Sequence, residues 1–189
     1  MKTYLTATAL AMIASSAAAQ DMSKTLPKSV GQVAPALEAY SANNLFGEVW
    51  QGAELSTRDR ALVTFAALMT RHETGNLAEH IELALDAGVS PAEISETITH
   101  LAFYTGWGNA IAATEAAAPV FAERGVKPED LPVVDPELLP LNEEAEAARE
   151  KAVSGNYGDV SQGVVDNTRE LLFLDLWLRP DLAPRDRSL

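Results

Sequence analysis

The chain contains no cysteine. An oxidising compartment would give it no disulfide, and no thiolate is available as a nucleophile or a redox centre. Histidine is nearly as scarce, with three in 189 residues, and no two stand four apart on a helix, so no paired-histidine metal site is expected. Cations are outnumbered, 14 Lys and Arg against 27 Asp and Glu, which gives a formal charge of -13. That balance repels phosphate backbones and anionic lipid surfaces at long range and excludes nucleic acid and membranes as expected partners. No segment sustains a two-residue apolar alternation, so no half-buried strand is predicted. What is present is a large stock of Ala, Leu, Val and Ile at helical spacing, and stability must come from burying them. The fold class expected is all-α.

The first twenty residues follow a different rule. Lys2 opens a short polar start, an apolar stretch runs from Ala7 to Ile13, and Ala17 and Ala19 fit the small-x-small pattern for cleavage after Ala19. The stretch falls well short of the roughly 20 residues that a bilayer span requires, and no other segment is long and apolar enough. Residues 1–19 are therefore expected to be a cleaved signal peptide, placing the protein in the periplasm or outside the cell. Removal of that peptide would leave a mature chain of about 170 residues, the size of one domain or slightly more.

The densest signals lie between Ser56 and Gly108. Ser56 can accept a free N–H of a first turn, with Asp59 three residues on, ahead of Leu62, Val63, Phe65, Ala66 and Met69. Asn76 and Glu79 repeat that pattern before Ile81, Leu83, Ala84 and Leu85, and Gly88 supplies a left-handed stop. Ser90, Pro91 and Glu93 form the strongest start signal, opening a helix through Ile94, Ile98, His100, Leu101 and Tyr104 to Gly106. Two histidines, His80 and His100, thus stand on consecutive capped helices. Ahead of this block, Val33 to Leu45 reads as a helix with one apolar face, starting near Pro35.

The chain also resembles itself at an offset of 127. Leu45, Phe46, Trp50, Leu55, Arg58, Asp59, Arg60 and Leu62 recur without a gap as Leu172, Phe173, Trp177, Leu182, Arg185, Asp186, Arg187 and Leu189. Between the copies, Pro128, Pro132, Pro136 and Pro140 exclude regular helix and mark residues 126–141 as a linker. Glu143 to Val153 then reads as a short charged helix and Ser154 to Gly163 as a loop. The organisation expected is a helical domain over 33–125, that linker, and the start of a second copy over 142–189. One helical turn cut off after Leu189 should neither nucleate nor bury a face. The second copy is therefore expected to be truncated, or else to pack as an arm on a partner subunit.

The order Phe-Gly-x-x-Trp, Leu-Ser-x-Arg-Asp-Arg, a histidine eight residues before Gly88, then Glu-Ile-x-Glu-x-Ile-x-His and Tyr-x-Gly-Trp resembles the carboxymuconolactone decarboxylase family, also called alkylhydroperoxidase D-like. The resemblance spans Tyr40 to Gly125 and implies a helical bundle with an antiparallel helix pair. It also implies trimeric or hexameric assembly and sites near subunit contacts. Its peroxidase branch carries Cys-x-x-Cys-x-x-x-His. Here His80 fits the histidine, but Glu73 and Asn76 stand where the cysteines would be. The decarboxylase branch uses no metal or organic cofactor, and none is expected. Loss of CO2 from an unsaturated lactone acid leaves charge delocalised toward the lactone carbonyl, so a site must hold the anion, stabilise that charge and deliver one proton. Histidine suits the last task because its ordinary pKa is about 6.5. His80 is the expected acid, Arg58 and Arg60 the expected anion-holding cations, and Glu73, His100, Tyr104 and Trp107 the expected pocket wall. Structural roles stand beside most of these: an interface or capped-helix position for His80, a core position for His100, ion pairs for Arg58 and Arg60, and core or subunit contacts for Tyr104 and Trp107. A peroxide-handling protein and a noncatalytic oligomeric binder of small molecules are the alternatives.

Overall fold

The computed structural model describes residues 26–189, so the expected signal peptide lies outside the described residues. The described chain is all-α, with no strand among these residues. In chain order the α-helices are α1 (Ser29–Val33), α2 (Pro35–Tyr40), α3 (Thr57–Thr70), α4 (Leu77–Asp86), α5 (Pro91–Thr105), α6 (Trp107–Glu123), α7 (Glu143–Tyr157), α8 (Gln162–Asn167) and α9 (Pro184–Arg187). No helix among them is long and apolar enough to cross a membrane.

The core is built from α3 to α6. Each contributes apolar residues three or four apart: Ala61, Leu62, Phe65 and Met69 from α3, then Leu77, Ile81 and Ala84 from α4, Ile94, Ile98 and Ala102 from α5, and Ala110, Ala113, Ala117 and Val120 from α6. The inward face of α6 is mostly alanine, which lets it approach its neighbours closely. Contacts link α3 with α4, α5 and α6, and α6 with α4 and α5.

Helix ends follow local chemistry. The Ser56 hydroxyl accepts from Asp59 N at 3.0 Å, and Ser90 and Glu93 close a full capping box, with Ser90 N donating to Glu93 at 2.7 Å and Glu93 N to Ser90 at 3.1 Å. Asn76 takes the cap position of α4 but makes no side-chain cap bond, because a 3-10 turn over Thr74–Asn76 enters the helix directly. Gly106 is the whole connection between α5 and α6, and its φ of 99° is one that side chains disfavour. At the end of α3, His72 stands in the left-handed position at φ 57°, where glycine would be the easier residue.

The linker carries only a 3-10 turn at Pro128–Asp130. Helix α7 runs four residues further than the expected Val153, through Ser154–Tyr157, since one exposed mid-helix glycine, Gly155, costs only about 1 kcal/mol. The last segment holds α8, a π-helical stretch at Thr168–Phe173, a 3-10 turn at Leu176–Leu178 and α9. It forms an arm lying on the core of its own chain. The expectation that a single final turn buries nothing is corrected here: Leu182 joins the main core and Arg187 is buried. Ion pairs to α3 and α5 hold the turn, so tertiary contacts replace helix propagation.

Candidate functional site

Helix α5 places Glu96, His100 and Tyr104 four residues apart on one face. The arm lays Arg179, Trp177 and Arg187 on that face. Glu96 is 1% exposed, and each of its oxygens takes one guanidinium: Arg179 Nε at 2.8 Å and Arg187 Nη2 at 2.9 Å. Arg187 also donates to the carbonyls of Leu182 at 3.0 Å and Arg179 at 2.8 Å. Arg179 spends its remaining donors on the linker carbonyls of Val133 and Val134.

Arg187 Nη1 lies 3.2 Å from His100 Nδ1. A guanidinium can only donate, so Nδ1 presents its lone pair and the ring proton sits on Nε2. Burial, reinforced by the Arg187 charge and opposed by Glu96, pushes His100 down to about 4. The imidazole is neutral at pH 7. Tyr104 stacks on it at 5.1 Å and Trp177 meets it edge-on at 4.9 Å, while Trp177 Nε1 donates to the Tyr104 hydroxyl at 2.8 Å. A cavity of about 60 Å³ adjoins His100 between α3, α5 and the arm, walled by Leu62, Ala66, Thr97 and Leu182. It has room for water but is far smaller than the usual few hundred Å³ of a ligand pocket.

A second charged cluster joins the two Arg-Asp-Arg motifs. Arg58 reaches Asp186 at 2.8 Å, its neighbour Asp59 at 3.2 Å, and Glu93. In the opposite direction Arg185 holds Asp59 through two bonds at 2.7 and 3.0 Å, and also Asp186 at 2.7 Å. The Arg185 hydrogen bonds hold Asp59 down to about 2 despite its burial.

Of the residues expected from sequence, the structure brings His100 and Tyr104 together. It engages Arg58 with carboxylates and Arg60 with the carbonyls of Gly52 and Leu55. Glu73 lies at the surface against Arg71, and Trp107 is exposed with its ring against Phe103. His80 sits apart on α4, half-buried, and burial, opposed by Glu79, lowers its pKa. No hydrogen bond joins it to the other six among the described residues. Sequence reasoning did not single out Glu96, Arg179 or Arg187 as site residues. A carboxylate four residues before His100, on a helix rich in isoleucine, was the available signal, because a buried carboxylate requires a cation. His72, whose Nδ1 lies 3.0 Å from Asn109 Oδ1, was also missed.

His100 and Asp59, with a contribution in the same direction from His80, set the acid stability. The unfolded chain protonates His100 near 6.5 and the folded chain near 4, so stability is complete above about pH 7 and declines as pH falls from 6.5 toward 4. The loss is on the order of 3 kcal/mol. Asp59 adds a second decline as pH falls through its ordinary range toward 2. Urea-denaturation midpoints from pH 7.5 to 3 should show this, with His100→Gln removing most of the first slope. A midpoint flat between pH 7 and 4.5 would contradict a neutral His100.

These features define a thiol-free helical bundle with a buried carboxylate, guanidinium and imidazole cluster on its central helix. Residues 35–119 match the carboxymuconolactone decarboxylase family. The chain is also similar to a 4-carboxymuconolactone decarboxylase of Acinetobacter baylyi, 34% identical over 84 residues, covering 44% of this chain and 63% of that relative. It therefore spans less than two thirds of the relative's length.

Proposed function

We propose that the protein is a cofactor-free enzyme of the decarboxylase type, acting on a small unsaturated organic acid or lactone. The observation that carries this reading is the family match over 35–119 in a chain without cysteine. In the proposed step the carbon–carboxylate bond breaks, CO2 leaves, and the electron pair passes toward the substrate carbonyl. One proton then reaches carbon, supplied by His80 and replaced from solvent. A half-buried imidazole whose cation is disfavoured releases that proton readily. Arg58 and Arg60 would hold a substrate anion only by exchanging their present partners.

The test is CO2 release from a panel of unsaturated lactone acids, run in D2O and in the presence of a thiol-alkylating reagent. Turnover unaffected by the reagent, with one deuterium entering the product, is expected. Binding of those acids without CO2 release would instead favour the noncatalytic binder, and peroxide consumption would favour the peroxidase alternative.

A further inference from the structure

A groove of about 540 Å³ runs between Phe103 of α5 and the stretch of the arm from Ser161 to Leu172. Small-molecule sites occupy roughly 300–1,000 Å³, and the cavity beside His100, at about 60 Å³, falls far below that range. Local chemistry keeps the groove open. The Ser161 hydroxyl accepts from Val164 N at 3.4 Å and starts α8 there. The next lining residue, Gly163, has no side chain, and a Cβ at that position would meet nothing within 4 Å. Helix α8 then passes directly into the π-helical stretch Thr168–Phe173, a wide turn of a kind frequent at functional sites, and this supplies Thr168, Leu171 and Leu172 to the wall.

The lining has a definite chemical character. Phe103, Val164, Leu171 and Leu172 are apolar, and the Phe103 ring is braced edge-on by Trp107 at 5.1 Å. An aromatic ring beside two leucines suits a flat apolar body. Asn167 and Thr168 add an amide and a hydroxyl, and neither side chain makes a hydrogen bond among the described residues. No charged side chain lines the groove. The charges that flank it in sequence are engaged elsewhere, Asp166 with Gln162 at 2.9 Å and Arg169 with Glu150 at 3.5 Å. An anion would therefore find no cation in the wall and would enter against a formal charge of -13.

We propose that this groove is a binding site for a small uncharged molecule carrying a planar ring and one or two hydrogen-bonding oxygens. The ring lies against Phe103 and the two leucines, and an oxygen takes the Asn167 amide and the Thr168 hydroxyl. Neither His80, Arg58 nor Arg60 lines the groove, and its chemistry turns away the free acids proposed as substrates. Binding is measured without turnover, so this site and the decarboxylase reading stand or fall separately.

The test is equilibrium dialysis of the full chain with coumarin, an uncharged aromatic lactone, and with the corresponding coumarin carboxylate. Saturable single-site binding of coumarin is expected, with the carboxylate roughly tenfold weaker or more. Gly163→Trp fills the groove from a position with open space around it, so it should remove coumarin binding while the helical circular-dichroism signal is kept. Asn167→Leu with Thr168→Val should weaken binding about fivefold, the worth of one hydrogen bond. Absence of saturable coumarin binding overturns the proposal, as does a carboxylate that binds equally well or coumarin binding indifferent to Gly163→Trp. Loss of the helical signal in Gly163→Trp overturns it too, since the groove would then already be filled by the chain. A Gly163→Trp protein that sediments differently but binds coumarin unchanged would make the groove a contact between copies, and not a ligand site.

Discussion

Replacing Glu96 with alanine is expected to destabilise the protein by about 3–5 kcal/mol, among the largest effects available to a single residue. Among the described residues the carboxylate is the only anion in contact with Arg187 and Arg179, whose side chains are 0% and 13% exposed. Without it two largely buried guanidiniums lose their carboxylate, and Arg187 also stays against a neutral imidazole. The pair as a whole contributes much less than its broken halves suggest, because desolvation offsets most of the attraction. Glu96→Leu combined with Arg187→Leu should therefore recover much of the loss. Chemical denaturation of the four proteins in that cycle gives the coupling directly. If Glu96→Ala cost less than about 1 kcal/mol, water would have to reach the cluster and its burial would be wrong.

The largest expected effect on turnover belongs to His80. Substitution by glutamine keeps the size and a hydrogen-bonding end but removes the transferable proton, and a positioned acid contributes roughly 10²–10⁴ in rate. His80→Gln should lose that factor in kcat while KM changes little and the melting temperature holds within a few degrees. The pH profile of the proposed reaction should fall on its alkaline side from below the usual histidine range, because burial lowers the His80 pKa. His100→Gln is the comparison: it should cost stability and steepen no such limb. Should His80→Gln turn over normally while folded, the proton comes from elsewhere.

How much of this was legible in the sequence depended on the distance over which each feature is determined. Ser56, Ser90 with Glu93, Gly88 and Gly106 announced helix boundaries that the structure reproduces, because caps and left-handed stops are decided within four residues. Asn76 failed as a cap because the preceding turn, and not its side chain, organises that start. The charged cluster on α5 was harder to see. Glu96 and His100 are readable as neighbours on a helix, but Arg187 lies 91 residues from Glu96 and 87 from His100, and only the fold brings them together. The same distance explains why one final helical turn seemed unable to bury itself. Helix propensity is local, and what seats α9 is a guanidinium that finds its carboxylate across the chain.

That separation bears on biosynthesis. Helices α3 to α6 can collapse as soon as they leave the ribosome, but Glu96 enters that collapse as a carboxylate with no countercharge. Until Arg179 and Arg187 emerge, the nascent bundle must keep that side of α5 wet, so the final stage of maturation is a late, long-range clasp and not part of the early hydrophobic collapse.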